Sequence, residues 1–526
     1  MKRDFSLLPG RQFDLFICGG GIYGAWTAYD AALRGLRVAI VEQCDWASAT
    51  SSASSKLIHG GLRYLETYDF KLVRKALSER SHLLEAAPHR VWPLRFGVPV
   101  YAESRIGTLQ LKAGLFLYDF LAGKAGKQRN GVSMTHRHLG RKTFAERYPF
   151  LKAERLKDGF VYGDAQTDDA RLVLELIAGA MDAGAICVNY CRMTGYSEDG
   201  GRVNGVTLED MLTHNSAHVS ARNIVNTSGQ WMVVSKQERG NIRLSKGIHL
   251  VMPSLQTEEA LLLTARSDGR VFFLIPWYGM TLVGTTDTDY RGDPDHVQVE
   301  ANEVTYLLEE ANHFLEHAWT ERDVVGSFAG IRVMKNSGEV SSSAVSRDWE
   351  LDIAGNGVYY SIGGKITSAR EDAACIVDTV CVQLGIDATC QTKDRSFPWA
   401  PDRYYPEWSA SIIDRANQLG IDKESALWLA RRHGNRVEGL LRKVEHEPGL
   451  AERIMPELPF IYADLLFSAN NEMVMHLNDL LRRRLPLLIL ARLSENDLRR
   501  IASTVATSLG WDDAAIDREI EACRQR

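Results

Sequence analysis

Cysteine is scarce, with eight in 526 residues. No two of them form a C-x-x-C pair, which disfavours zinc ribbons and redox dithiols, and the low density rules out a disulfide scaffold. Cys187 and Cys191 are close in sequence and read as reduced packing residues. No metal site is expected. Long apolar runs are missing too. A spanning helix needs about 18 such residues, and the best stretches, 114–123 and 485–491, are interrupted by Asp119 and Pro486. The segment ahead of the first strand lacks the apolar core of a signal peptide. The expectation is a cytoplasmic protein that lies, at most, on a membrane surface. Charge of one sign is not in excess either: 62 Lys+Arg face 67 Asp+Glu, a net −5. That argues against a surface coated by nucleic acid, and no nucleic-acid partner is expected.

What the chain does have is ordinary globular material, 45% hydrophobic and 25% charged. At roughly 150 residues per domain, about three domains are expected. Phe13–Cys18 and Arg37–Val41 are β-type runs flanking a helical pattern over Ile22–Arg34, the opening of a parallel α/β unit. Lys71–Ala87 is amphipathic. Asp169–Ala183 reads as a helix, followed by short strands ending in Ala221–Asn226. Leu261–Thr286 reads as antiparallel strands around a tight Tyr278–Gly279 turn. Val358–Ile362 is a buried strand followed by Gly363–Gly364 and a helix starting near Thr367. Gln391–Pro406 is polar and Pro-containing and reads as a linker across a domain surface. Beyond it the pattern is helical almost throughout, so 407–526 reads as a separate all-helical domain.

The strongest local signal is Gly19-Gly20-Gly21-Ile22-Tyr23-Gly24. It follows a strand and opens a helix, and Glu42 ends the next strand at about the spacing that a dinucleotide motif requires. Glycines let the backbone approach a pyrophosphate, and the helix N-terminus offers unbonded N–H groups to that anion. Glu42 would accept from ribose hydroxyls. The motif alone does not separate NAD from FAD. Thr50, Ser51, Ser52, Ser54 and Ser55 form a hydroxyl-rich stretch just beyond, suited to a pyrophosphate and a ribityl chain.

The run Ser54-Ser55-Lys56-Leu57-Ile58-His59-Gly60-Gly61-Leu62-Arg63-Tyr64-Leu65 closely resembles the FAD-dependent glycerol-3-phosphate dehydrogenases, flavoproteins of the D-amino-acid-oxidase-like superfamily. Further matches follow in order: Asp168-Asp169-Ala170-Arg171-Leu172, Lys246-Gly247-Ile248-His249-Leu250-Val251, Ile275-Pro276-Trp277, Gly284-Thr285-Thr286-Asp287 and Gly363-Gly364-Lys365-Ile366-Thr367. They span roughly 13–375 and, more loosely, the C-terminal helices. Departures fall at Gln230, Val333 and Ala369, where the family usually has Pro, Pro and Tyr. They leave the flavoprotein reading intact and keep other polyol phosphates, such as erythritol phosphate, open as substrates.

The resemblance implies an α/β fold: a Rossmann-type FAD-binding domain interleaved with an antiparallel-sheet substrate domain over 1–390, then a linker at 391–406 and an all-helical domain. The FAD-binding segments lie near 13–90, 155–230 and 345–390, and the substrate segments near 91–154 and 231–344. It implies non-covalent FAD held by Gly19, Gly21, Ile22, Tyr23, Gly24, Glu42, Thr50, Ser51, Ser55, Lys56, Leu57, His59, Gly229, Gly364, Lys365, Ile366 and Thr367. A phosphorylated alcohol needs cations, and Arg63, Arg332 and Lys365 with Tyr64 match the family's substrate positions. Its hydroxyl proton needs a base; His59 and His249 are the candidates, with Arg332 alongside. Ser368-Ala369-Arg370-Glu371 has capping-box spacing. The expected partners are a membrane quinone as electron acceptor and an anionic membrane surface on the inner face of the cytoplasmic membrane, and a homodimer stays open. Arg105–Arg129 carries aromatic and aliphatic residues beside Lys112, Lys124, Lys127 and Arg129, as suits an interfacial helix. Arg482-Arg483-Arg484 reads as the solvated basic end of a core helix. An oxygen-using glycerophosphate oxidase, an oxidase of amines or hydroxy acids, and a non-catalytic FAD-binding scaffold are the competing readings.

Overall fold

The computed structural model describes residues 1–123, 128–232, 242–335 and 348–524. Its first layer is a six-stranded sheet in the order Ile186–Val188, Val38–Val41, Leu15–Cys18, Ile224–Asn226, Tyr359–Ile362, Glu350–Ile353. All neighbours run parallel except the last two, which form a hairpin. The central strands are buried but for the half-buried Cys18, as parallel strands covered on both faces must be. Helices Ile22–Leu33, Asp169–Asp182 and Ala369–Leu384 cover one face in one apolar cluster. A small four-stranded sheet covers the other. The strand expected over Ala221–Asn226 is two. Ser216–Ala221 pairs in the small sheet and Ile224–Asn226 in the large one, and the chain crosses between them at Arg222 and Asn223.

A ten-stranded sheet forms the second body. It is antiparallel apart from one pairing, Ala260–Thr264 beside Val91–Tyr101, which runs parallel. Strand Leu156–Thr167 and the short strand Leu57–Ile58 pair within this sheet, although the sequence groups both with the cofactor segments. The Tyr278–Gly279 turn is present: both residues have positive φ, 49° and 76°, as a two-residue hairpin of this twist demands. Register places His249 between Gly284 and Phe328, and Ser245 beside Arg332.

The C-terminal region is all helical from Tyr405 to Arg524. It is not an independent body, because Leu465, Leu477, Leu481 and Leu487 share one apolar cluster with Trp92, Val251 and Ile275 of the large sheet. Nor does the linker cross a surface: Phe397 and Trp399 are buried, and the Trp399 amide donates to Glu175 at 2.9 Å. The Arg482–Arg484 run is not a solvated end either. Arg483 and Arg484 are buried against Asp45 of the first domain, because a buried carboxylate there needs cations.

Candidate active site

A cleft of about 360 Å³ opens where the two sheets meet. Its floor is the N-terminal end of helix Ile22–Leu33. Gly21 caps this helix without any side-chain hydrogen bond, which leaves first-turn amides for an anion. The Ile22 amide is taken by the Ser51 hydroxyl at 2.9 Å, which pins the hydroxyl-rich loop to the glycine turn. Thr50, Ser51, Ser54, Ser55 and Leu57 line the cleft, as do Gly229 and Ile366. Tyr23 closes one wall. Its hydroxyl accepts from the Lys365 amide at 3.0 Å and donates to Asp372 at 2.9 Å, packed against Gly364.

A second cavity, of about 340 Å³, lies on the other side of the glycine turn. Gly19 and Glu42 line it together with Met193 and Tyr196. The Glu42 carboxylate accepts from the Gly20 amide (2.7 Å) and the Cys44 amide (3.0 Å), while burial raises its pKa above the usual carboxylate value. Two cavities meeting at one glycine turn, a run of hydroxyls in the first and an acid in the second, fit an extended dinucleotide whose pyrophosphate sits at the turn.

The predicted substrate residues Arg63, Tyr64, Arg332 and Lys365 all line the cleft. Lys365 Nζ lies 3.8 Å from the Tyr64 ring centroid, and the Arg63 guanidinium 5.5 Å from the same ring. Across from them Arg332 donates to the Thr285 hydroxyl at 2.9 Å and the Thr286 carbonyl at 3.2 Å, and faces Asp287 at 3.5 Å. Its guanidinium lies directly on Gly247, where a Cβ would come within 2.2 Å. That explains the glycine in the Lys246–Val251 motif.

Both histidines face the cleft, and they differ in what holds them. The His59 Nδ1 accepts from the Gly61 amide at 3.1 Å, so the neutral ring carries its proton on Nε2. The His59 amide donates to the Thr367 hydroxyl at 3.3 Å. His249 is buried, stacks on Phe328 at 4.9 Å, and shares a 2.9 Å hydrogen bond between Nε2 and the Ser55 hydroxyl. Its Nδ1 has no hydrogen-bond partner among the described residues. Burial, then the nearby Arg332 and Lys56 cations, hold its pKa well below 6.5, so the ring is neutral at physiological pH.

Some predicted residues serve elsewhere. Lys56 turns away from the cleft and donates to Asp169 and the Ser52 carbonyl, both at 2.6 Å, with both charged groups of the pair buried. Gly24 packs against the Gly19 carbonyl, and Thr367 acts through His59. Ser368 forms no capping box: it is in αR conformation, the helix starts at Ala369, and its hydroxyl donates to Asp372 at 3.0 Å. The Lys365 amide, expected to face the cofactor, is taken by Tyr23.

Sequence reasoning missed two charged members of the site. Arg270 lines the cleft beside Arg332 and donates to the Asp287 carbonyl. No motif surrounds it. Asp164 is buried at the cleft wall and accepts from the Gly60 amide (3.1 Å), Arg80 (2.6 Å) and the Tyr118 hydroxyl (2.8 Å). An acid just ahead of the Asp168–Leu172 motif was its available signal.

Residues 14–370 match the family profile described as FAD dependent oxidoreductase, and 390–516 the one described as C-terminal domain of alpha-glycerophosphate oxidase. The chain is 33% identical to a glycerol-3-phosphate dehydrogenase of Synechocystis sp., covering 99% of this chain and 97% of that one. It is 33% identical to the aerobic glycerol-3-phosphate dehydrogenase of Staphylococcus aureus over 91% of this chain and 87% of that one. Among solved structures, the Bacillus halodurans glycerol-3-phosphate dehydrogenase complexed with FAD superposes with a TM-score of 0.77 at 27% identity, covering 99% of this chain and 95% of that one. The L-alpha-glycerophosphate oxidase of Mycoplasma pneumoniae shares the fold, with a TM-score of 0.54 at 17% identity over 74% of this chain and 99% of that one.

Proposed function

The chain belongs to the family of FAD-dependent glycerol-3-phosphate dehydrogenases, and from that premise we propose that it oxidises sn-glycerol 3-phosphate to dihydroxyacetone phosphate and passes the electrons to a membrane quinone. The observation that carries this reading is that Arg63, Lys365, Arg332 and Arg270 all line one cleft that also holds two histidines. Cations lining the same cleft suit a phosphate dianion, and guanidinium forks bind two oxygens each. Fixing the phosphate fixes the carbinol carbon, and such positioning can supply a large share of the rate.

FAD, when bound, supplies the acceptor for the hydride leaving that carbon. His249 takes the hydroxyl proton. Burial keeps its ring neutral, and the ring lines the cleft. His59 acts as a donor instead, because the Gly61 amide occupies Nδ1 and leaves the proton on Nε2. Asp164 holds the Gly60 amide and so fixes the backbone next to His59. The test is anaerobic bleaching of the flavin with a panel of polyol phosphates. Rapid bleaching by sn-glycerol 3-phosphate alone is expected; bleaching by a longer polyol phosphate in its place moves the substrate assignment, and no bleaching by any rejects the enzyme. His249→Gln should keep the flavin and slow bleaching by about 10²-fold or more. Faster reoxidation by a quinone than by oxygen separates dehydrogenase from oxidase.

Attachment to a membrane is supported by helix Thr108–Ala122. Leu109, Phe116 and Phe120 are 84%, 67% and 73% exposed and fall on one face, while Leu115 and Tyr118 on the other are buried. Exposed Lys112 flanks the stripe. Lys124 and Lys127, also expected at this surface, lie outside the described residues. No helix among the described residues is long and apolar enough to cross a membrane. A surface helix of this kind, with its apolar face outward, suits the lipid interface where a quinone is met.

A further inference from the structure

The helical C-terminal region has no residue lining the cleft, yet it grips one loop of the FAD-binding sheet at several points. That loop, 42–47, follows the strand ending in Val41 and begins with Glu42. Asp45 is wholly buried and receives Arg483 Nε at 2.6 Å and Arg484 Nη2 at 2.9 Å. Burial pushes its carboxyl up, but the two guanidinium groups outweigh that and hold it ionised, below the usual carboxylate range. Next to it the Trp46 indole N–H donates to the Met473 sulfur at 3.2 Å. Asn189 adds hydrogen bonds to the Met473 carbonyl (3.2 Å) and to Asp45 (3.3 Å).

The other side of the same loop is the glycine turn. The Trp46 ring lies so close to Gly20 that a Cβ there would stand 2.4 Å from it. The Ala47 amide donates to the Gly20 carbonyl at 3.1 Å, and Glu42 accepts from the Gly20 amide at 2.7 Å. Trp46 is therefore a wedge with the phosphate-binding turn on one side and the C-terminal helices on the other. Closely packed interiors transmit displacement rather than absorb it. A shift of Met473 or of the arginines must move Trp46, and with it the turn and Glu42.

We propose that the C-terminal helical region is a clamp on the cofactor: Met473, Arg483 and Arg484 act through Trp46 and Asp45 as positioning residues for the Gly20 turn, and they set how slowly FAD leaves the protein. The inference rests on FAD lying at that turn and not on the identity of the alcohol oxidised. A failure of substrate bleaching would count against the substrate alone, and a failure of the release experiment against the clamp alone.

The test uses full-length holoenzyme. Release of FAD into apoprotein-free buffer is followed by the recovery of free-flavin fluorescence, and rebinding by titrating FAD back. Met473→Ala should speed release about tenfold, the scale of a core truncation felt partly at the site. Met473→Leu should restore the slow rate. The paired substitution Asp45→Asn with Arg484→Met removes the ionic contact without stranding a bare charge and should speed release in the same way. Val444→Ala, in the apolar cluster inside the helical region, should lower Tm and leave release unchanged. The proposal is overturned if Met473→Ala releases FAD at the wild-type rate, or if Val444→Ala releases it as fast as Met473→Ala. Where the paired variant fails to fold, the Met473 series alone decides.

Discussion

At the scale of single residues, two side chains from one sequence motif have opposite roles. Ser55 reaches the cleft and holds His249, whereas Lys56 points into the interior and neutralises Asp169. Lys56 sits in the left-handed region with φ 58°, and this turn of the backbone just ahead of strand Leu57–Ile58 sends the two neighbouring side chains apart. The motif therefore marks a segment of which Ser55 lines the cleft and Lys56 does not, and its residue types do not tell the two apart. Lys56→Met strands a buried carboxylate and should cost about 3–5 kcal/mol in urea unfolding, whereas Lys56→Met with Asp169→Leu should regain most of it. An equal loss in both would mean that the pair itself is stabilising. His249 makes a prediction in pH. A base must be neutral to act, and the neutral form predominates above its pKa. Burial with Arg332 and Lys56 moves that pKa well below 6.5, so activity is lost only at lower pH. The acid limb of kcat/KM should lie below pH 6.5, and a limb centred at or above 6.5 would remove His249 from the role of base.

At the scale of elements, local chemistry was readable wherever the backbone itself imposed it. The glycine turn, the Tyr278–Gly279 hairpin and helix Asp169–Asp182 all follow from positive φ, period and cap residues, with Asp168 accepting from the Arg171 amide at 3.3 Å. Legibility ended where a distant partner outbid the local one. Ser368 has the spacing to cap its helix, but Asp372 captures its hydroxyl. Asp372 itself is pinned by Tyr23 and by Lys75, both far away in the chain. The strap at 391–406 reads as polar because its charged residues outnumber Phe397 and Trp399, yet those two rings decide where it packs. Helix Thr108–Ala122 was legible as amphipathic, and the structure adds which side faces out. Burying a phenyl ring in lipid is worth about 1.5–3 kcal/mol. Phe116→Glu with Phe120→Glu should therefore weaken binding to anionic liposomes by at least about tenfold at low salt, with flavin content unchanged. Undiminished sedimentation with vesicles would show that this helix is not the contact.

At the scale of the whole molecule, a buried ionic network spans the domains. Arg171, in the family motif, pairs with Glu472, 301 residues away in sequence, at 2.5 Å. Glu175 receives His89, Arg90 and the Trp399 amide; Asp464 receives Arg432 and His433. No spacing in the sequence connects these positions, which is why the helical region read as separate. Such charges are tolerated only because each is paired, so the network makes the two parts fold as one and makes that union sensitive to acid. Burial alone would raise Glu175, but His89 and Arg90 bring it down to about 2, so below about pH 4.5 the unfolded chain takes up a proton that the folded one refuses. His433 begins earlier. Burial lowers it from 6.5 to about 4 against the pull of Asp464, and its Nε2–H donates to that carboxylate while the ring stays neutral. Between those two values the unfolded state binds more protons, so stability must fall as pH falls. The pair of values gives a loss of about 2 kcal/mol from pH 7 to pH 5 due to this one ring. His433→Gln keeps an N–H donor for Asp464 but cannot titrate. Urea midpoints at pH 7 and pH 5 should therefore differ less in the variant than in the wild type, by about that amount. Equal losses in the two proteins would show that the acid sensitivity resides in some other group.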